Sequence, residues 1–244
     1  MDNNQESFEF NIERFIGHFE KQVQIIDKLS FSLIEEDEDE KLYIQKEILL
    51  VSLIDSLSNI RFNKINFPQL AKKNRERFVR FVKEYSEWKD GNLVSIVFLR
   101  DNFSKEFKNN PLFKYIDEKV KNYTQLDQWK AVNEIDEEVT ELKLLAVNEK
   151  EEEAIEYYQH YSILYRYRNY LIHEARKPGY GMEFMSYEKD FAIYHSYIND
   201  ETLHLLYPIG LIKRITCDSI SNIKTYFKEQ NINPYAFVND TLRF

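Results

Sequence analysis

The side chains best suited to chemistry lie in one short stretch of the chain, Tyr165-Arg166-Tyr167-Arg168-Asn169-Tyr170-Leu171-Ile172-His173. In a helix, this stretch places two arginines, an amide and an imidazole within about two turns. A histidine titrates near neutral pH and can remove or deliver a proton, while an arginine fork can hold phosphate oxygens as negative charge builds up. These groups suit cleavage of an RNA phosphodiester by its own 2′-hydroxyl, with no metal ion or other cofactor required.

Helical geometry gives this stretch one packing side and one polar side. At about 100° per residue, the packing stripe is formed by Leu164, Leu171 and Ala175. The polar side carries Arg166, Asn169, His173 and Arg176. Arg168 lies roughly 140° around the helix from His173, so only its long side chain could bring the guanidinium to a shared site. Asn169, one turn before His173, could orient the imidazole or bind a phosphate oxygen.

The spacing of Arg168, Asn169 and His173 resembles the signature of the HEPN superfamily. Ribonuclease members of that superfamily share an arginine, usually followed by a polar residue, and then a histidine after a spacer of four to six residues. Arg166 satisfies the longest spacing, but Tyr167 follows it, so the phosphate-binding role falls first to Arg168. The resemblance implies that Arg168, Asn169 and His173 are catalytic.

The cations that flank this motif, Arg166, Arg176 and Lys177, are candidates for substrate binding. The resemblance also implies a helical bundle that pairs as a homodimer, with a composite active site at the interface. It implies metal-independent endonucleolytic cleavage of RNA leaving a cyclic phosphate, often in toxin–antitoxin or anti-phage defence systems, where an antitoxin or another regulatory protein is a partner. The alternative is a non-catalytic HEPN-like module that binds a protein or a nucleotide and keeps the motif for dimer packing.

Structural roles compete with these assignments. A histidine on a polar helix face is, without a motif around it, most often a surface residue. Arg168 could pair with Asp55 or another carboxylate of the second predicted helix, because an arginine beside an apolar stripe needs a partner, and this pairing is compatible with catalysis. The basic run 72–83 is better interpreted as a solvated helix face than as an RNA track. The remaining histidines are interpreted as structural: His18, His160, His195 and His204.

Composition favours a mainly helical protein. The chain has 244 residues but only five glycines and five prolines, so the usual punctuation of short strands and tight turns is scarce. A net charge of −9 argues against an unspecific polyanion binder, so a nucleic-acid site must be a local patch. The single cysteine, Cys217, has no partner for an internal disulfide and is interpreted as a small core residue.

Hydrophobic periodicity predicts the order of the elements. Helices are expected over residues 8–33, 41–61, from Pro68 to before Asp90-Gly91, 93–107, 111–123, 149–177 and 209–227. Residues 35–40 form an acidic loop, residues 126–148 are compatible with helix, and the helix of 149–177 is stopped by Pro178-Gly179. Residues 191–198 and 202–207 alternate and predict a β-hairpin with its turn at 199–201. The tail around Asn233-Pro234-Tyr235 is expected to be extended.

The predicted fold is therefore mainly α, a HEPN-like helical bundle with a small C-terminal β-hairpin and a final packing helix. The expected organisation is a bundle over residues 1–180 and an extension over residues 181–244 that packs on the same core. Apolar runs fall far short of the roughly 20 residues needed to cross a bilayer, and the first residues lack the basic and apolar parts of a signal peptide. We expect no membrane association and a cytoplasmic location.

Overall fold

The computed structural model describes residues 2–29, 42–103, 110–123, 129–177, 189–196 and 202–238. It is mainly helical with one small antiparallel sheet, which confirms the predicted fold class. The chain divides into two compact units. The first unit comprises Met1–Glu87, Arg168–Lys177 and Ile212–Phe244, and the second comprises Trp88–Tyr167 and Pro178–Leu211.

The first unit is built from long amphipathic helices. Its elements are α1 (Asp2–Asp27), α2 (Leu42–Arg61), a 3-10 turn (Pro68–Leu70), α3 (Asn74–Tyr85), the end of α9 (His160–Glu174), most of α10 (Ile209–Glu229) and α11 (Tyr235–Val238). α2 packs against α1 and α3. The buried positions of α1 recur three or four residues apart, as one face of a helix requires: Ile12, Phe15, Ile16, Phe19, Val23 and Ile26.

Ion pairs join α1 to α10 along their exposed edges. The carboxylate of Glu13 lies 2.7 Å from the ammonium groups of both Lys224 and Lys228. Hydrogen bonds from these two lysines lower the pKa of Glu13. At the other end of α1, Asp27 lies 2.7 Å from Lys213. Such exposed pairs add little stability, but they fix the register of the two helices.

α2 is apolar on most sides, and its sequence predicts a central position in the bundle. The structure nevertheless leaves Leu49 42% exposed, and Ile48, Leu53 and Ile60 are only half-buried. Thus one face of α2 packs in the core of the first unit, and a second apolar face of the helix is partly exposed.

The second unit combines short helices with a three-stranded sheet. Its elements are α4 (Ile96–Phe103), α5 (Pro111–Lys121), β1 (Lys130–Ala131), α6 (Val132–Ile135), α7 (Val139–Lys143), α8 (Glu149–Tyr157), the start of α9, β2 (Ile193–His195) and β3 (His204–Leu206). β2 lies between β1 and β3 and pairs antiparallel with both, with Ile193 opposite Ala131 and Leu206. The two strands of the predicted hairpin are therefore confirmed, while its turn lies outside the described residues. β1 was not predicted, because two residues are too few to show alternation.

The single helix predicted over 149–177 is wrong, because the structure breaks it into α8 and α9. At the break, the backbone N–H of Ser95 donates to the carbonyl of Tyr158 at 3.0 Å, and that of His160 donates to the carbonyl of Leu93 at 3.0 Å. These backbone groups pair with a distant segment instead of continuing the helical ladder. The break starts a new helix at His160, so the predicted motif lies entirely on α9.

Several boundaries also differ from the predicted ones. α1 ends at Asp27, Pro68 lies in a 3-10 turn that precedes α3, and α4 begins at Ile96. The tail is not fully extended, because Asn233 accepts a hydrogen bond from the backbone N–H of Tyr235 and α11 begins there. Cys217 is exposed rather than part of the core. The predicted acidic loop at 35–40 and the stop at Pro178-Gly179 lie outside the described residues.

Gly91 marks a close approach in the second unit. A Cβ atom at this position would lie 2.1 Å from a ring carbon of Tyr161. The Tyr161 ring has little room to move, because it is 4% exposed and its hydroxyl donates to the carbonyl of Trp88 at 2.7 Å. We expect Gly91→Ala to lower the free energy of unfolding by about 1–3 kcal/mol, measured by urea denaturation. Unchanged stability would show that the Tyr161 ring can give way.

No helix in the described part of the chain is both long and apolar enough to cross a membrane.

Candidate functional site

Arg168 and Asn169 form a polar cluster with α2 in the first unit. The guanidinium of Arg168 pairs with the carboxylate of Asp55 and donates to the amide oxygen of Asn169 at 2.9 Å. The side chain of Arg168 is 12% exposed and that of Asp55 is 21% exposed. The ion pair with the second helix, considered as one possibility from the sequence, is confirmed. It fixes the guanidinium beside a carboxylate at the edge of the core.

His173 lies one turn after Asn169, on the last turn of α9, and its side chain is exposed. Within the described ranges, no other side chain or backbone group makes a hydrogen bond with its ring. An exposed imidazole in this position can exchange a proton with solvent or with a bound molecule. Because Asn169 and His173 are four residues apart on one helix, their side chains project from the same face.

The structure therefore joins Arg168 to Asn169 directly and places His173 on the same helix one turn beyond. It does not pair Arg168 with His173 in the single chain: the guanidinium is turned toward Asp55. A phosphate that approached His173 would meet the Arg168 cation only at the cost of weakening, or sharing, its contact with Asp55. The cluster thus supplies a cation held in place and an acid–base group in solvent.

Arg176 is exposed just beyond α9, where the chain turns through Ala175 with a left-handed φ of 50°. Its guanidinium lies 5.0 Å from the centre of the Tyr170 ring, and it pairs with Glu174 at 2.6 Å. A pair this exposed is weak in water, so Arg176 can exchange Glu174 for a phosphate at small cost. Its position fits the substrate-binding role expected for it.

Lys177 does not fit that expectation. Its side chain is 2% exposed, and its ammonium lies 2.7 Å from the carboxylate of Glu47 on α2, which is 0% exposed. Burial lowers the pKa of Lys177, while the Glu47 carboxylate acts in the opposite direction. The structure gives Lys177 a buried partner within the fold, so we exclude it from the substrate-binding set proposed below.

Arg166 belongs to the second unit and contacts aromatic rings there. Its guanidinium lies 6.0 Å from the ring centre of Phe98 and 5.8 Å from those of Tyr157 and Tyr158. Cation–π contacts of this kind stabilise an arginine without neutralising its charge. The charge of Arg166 remains available, and its expected role in substrate binding stays a prediction.

Sequence reasoning missed a buried polar network in the second unit. His160, interpreted as structural, has both ring nitrogens bonded: one lies 2.6 Å from Asp136 and the other 2.8 Å from the hydroxyl of Tyr207. Tyr194 also donates to Asp136, at 3.0 Å, and its oxygen lies 2.6 Å from the Ser95 hydroxyl, which can then donate to it. These partners come from separate segments and no local spacing connects them, so nothing in the sequence could identify the network.

This network is enclosed. Asp136 and His160 have side-chain exposures of 0%, and burial raises the pKa of Asp136 while His160 counteracts that effect. Burial also raises the pKa of Tyr194 and Tyr207 well above the usual tyrosine range. The hydrogen bonds of Asp136 connect the β2 residue Tyr194 to His160, the first residue of α9.

The basic run 72–83 behaves as a solvated helix face, as predicted. Lys73 pairs with Glu76 at 3.1 Å, Arg80 pairs with Glu84 at 2.6 Å, and Arg77 donates to Asn74 at 2.5 Å. Glu76 and Glu84 thus offset two of the six positive charges of the run, while the Arg77 partner is a neutral amide.

No protein-family model, no curated protein and no solved structure matches this chain. The function of this chain is therefore inferred from the residues of α9 and their surroundings.

Proposed function

We propose that this protein is a metal-independent endoribonuclease of the HEPN type that acts as a homodimer. The observation that carries the proposal is the exposed His173 imidazole, one turn beyond an Arg168–Asn169 pair held by Asp55. This arrangement agrees in residue types and order with the HEPN motif that the sequence resembles. It supplies the proton acceptor and the phosphate-binding cation that cleavage of RNA by its own 2′-hydroxyl needs.

In the proposed reaction, His173 removes the proton from a ribose 2′-hydroxyl, and the 2′-oxygen forms a bond to the adjacent phosphorus. The bond between phosphorus and the 5′-oxygen of the next nucleotide breaks, and that oxygen takes up a proton as it leaves. The products are a 2′,3′-cyclic phosphate and a free 5′-hydroxyl. Arg168 stabilises the extra negative charge on the phosphate during this step, with Asn169 holding the guanidinium in position and Arg176 binding a flanking phosphate.

A second copy of the chain completes the proposed site. One imidazole cannot be base and acid at the same instant, and His173 is the exposed histidine of α9, because His160 is buried in the second unit. His173 of the partner subunit would protonate the leaving oxygen. The exposed Leu49 and the half-buried Ile48 and Leu53 on α2 provide apolar area that a dimer interface near α9 would bury.

Asp55 has a positioning role in this proposal, and its removal tests that role. We expect Asp55→Asn to lower kcat for cleavage of a single-stranded RNA by about tenfold with little change in KM, because binding survives but the guanidinium loses its fixed orientation. Asp55→Glu should restore part of the rate. Arg168→Lys should lose about 10²-fold or more, because an ammonium cannot reproduce the guanidinium fork.

Full activity of both Asp55→Asn and Arg168→Lys would contradict the positioning role of Asp55 and the phosphate-stabilising role of Arg168. Both variants keep a polar group at the position, so loss of folding is a smaller concern than with alanine. Thermal melting of each variant, followed by circular dichroism, separates loss of activity from loss of structure.

The second candidate function is a non-catalytic HEPN-like module that binds a protein or a nucleotide. The observation that favours it is the pairing of Arg168 with Asp55, which leaves the arginine side chain only 12% exposed. If this function is correct, the wild type does not cleave RNA, and Arg168→Lys and His173→Ala change dimerisation instead. Light scattering of both variants, together with an RNA cleavage assay of the wild type in EDTA, distinguishes the two functions.

We further propose that the nuclease is a cytoplasmic toxin or an anti-phage effector, restrained by an antitoxin or another regulatory protein. Growth arrest on expression of the wild type, relieved by His173→Ala at equal soluble yield, is the expected result. Harmless expression of an active nuclease would contradict the toxin assignment.

A further inference from the structure

A cavity of about 410 Å³ lies in the first unit, beside α1. Its lining residues are Arg14, Phe15, His18, Phe19, Ile60 and Tyr235. The volume is within the range of small-molecule sites, which combine apolar walls with a few polar groups. None of these residues belongs to the proposed catalytic cluster.

The spacing of residues on α1 explains both sides of the cavity. Arg14 and His18 are four residues apart and exposed, so they form one polar edge of the helix. Phe15 and Phe19 are also four apart and are buried next to that edge. Tyr235, the first residue of α11, packs edge-on against Phe15 with ring centres 5.6 Å apart.

The aromatic walls belong to a packed cluster. The Phe15 and Phe19 ring centres are 5.2 Å apart, and Phe15 also packs edge-on against Phe227 of α10, at 6.2 Å. The ring of His18 stands edge-on to Phe19, at 5.6 Å. The walls are thus fixed by packing against the core before any ligand enters, which reduces the entropic cost of binding.

The polar edge of the cavity is positively charged. Glu13, the acid next to Arg14 in sequence, is engaged on another face of α1 by Lys224 and Lys228. In the part of the chain that the structure describes, neither Arg14 nor His18 forms an ion pair or hydrogen bond with another residue. In a chain with a net charge of −9, this edge is a local site for an anion.

We propose that this cavity binds a nucleotide, with its base against the aromatic and apolar walls and its phosphate against Arg14 and His18. An apolar peptide would leave the Arg14 guanidinium and the His18 imidazole unused, and an inorganic phosphate would leave the rings unused. A nucleotide presents a flat π-face and a phosphate a few bonds apart, which matches both halves of the cavity. The site is independent of the proposed catalytic residues, and it can accept a free nucleotide or one nucleotide of a single-stranded RNA.

Titration calorimetry on the full chain tests the proposal. The probes are AMP and UMP, the nucleosides adenosine and uridine, inorganic phosphate, and a single-stranded hexaribonucleotide. We expect at least one mononucleotide to bind with one site per chain and a Kd below 1 mM, and to bind at least about tenfold more tightly than its nucleoside and than inorganic phosphate. The hexaribonucleotide is titrated into His173→Ala, which should not cleave it. A hexaribonucleotide that binds more tightly than both mononucleotides, and loses that affinity with Arg14→Gln, assigns the site to RNA, and the reverse order assigns it to a free nucleotide.

Substitutions at the cavity test whether the nucleotide binds there. Arg14→Gln and His18→Gln are exposed substitutions that should each weaken nucleotide binding by about tenfold. Lys83→Gln, exposed on α3 and outside the cavity, removes the same charge as Arg14→Gln and should leave the Kd within about twofold. The proposal is overturned if neither mononucleotide binds below 1 mM, or if Lys83→Gln weakens binding as much as Arg14→Gln does. Because His173→Ala leaves this cavity intact, nucleotide binding by that variant separates the outcome from that of the nuclease proposal.

Discussion

His173→Ala is expected to lower the rate of RNA cleavage by about 10²- to 10⁴-fold, the range typical of losing a general acid or base. The imidazole is the only exposed side chain of the α9 motif with the chemistry of a general acid or base, so no neighbour in the motif can replace it. Because His173 is exposed and makes no hydrogen bond within the described residues, its removal should leave the melting temperature unchanged. The measurement is cleavage of a labelled single-stranded RNA in EDTA, with wild type and variant at equal protein concentration.

Gln24→Ala is a suitable control, because Gln24 is an exposed α1 residue outside the proposed sites. It should keep the wild-type rate. Cleavage by His173→Ala at that same rate would remove the general acid–base assignment. Mixing an active-site variant with the wild type adds a test of the composite site: heterodimers that carry one His173 should be nearly inactive if both copies are required.

Breaking the buried ion pair between Lys177 and Glu47 is expected to lower the free energy of unfolding by about 3–5 kcal/mol. Either single substitution, Lys177→Met or Glu47→Gln, removes one partner of a pair whose side chains are 2% and 0% exposed. The remaining group is then desolvated without its counter-charge. Urea denaturation of both single variants and of the double variant gives the coupling energy between the two residues.

The double variant is the informative member of that cycle. Replacing both members leaves no buried charge, so it should be more stable than the sum of the two single losses implies. Lys73→Met, which breaks the exposed pair with Glu76, serves as the surface control and should scarcely change stability. Strictly additive losses across the cycle would contradict a direct interaction between Lys177 and Glu47.

Much of the helical framework could be predicted from the sequence. The apolar period of α1 and α10, Pro111 at the start of α5 and the alternation of β2 and β3 are local signals, and the structure has these elements near the expected positions. The Arg168–Asp55 pair was also foreseeable, because an arginine beside an apolar stripe must find a carboxylate nearby. Such features depend on residues close in sequence or, for Arg168, on the need of a largely buried charge for a counter-ion.

Other features have no local signal. The break between α8 and α9 occurs because Tyr158 and His160 bond to the segment at 93–95, and periodicity continues across it. The charge pattern placed Arg176 and Lys177 together as substrate-binding cations. The fold separates them, leaving Arg176 in solvent and burying Lys177 against a partner 130 residues earlier.

Residue types and their spacing are sufficient to predict a helical protein with an arginine, an amide and an imidazole on one helix. Which of these groups face solvent and which are held by distant carboxylates follows from the folded chain, as does the position of Arg14 and His18 beside a cavity with aromatic walls. Exposure and partner choice depend on how segments far apart in the chain pack together, and helix periodicity carries no information about that packing.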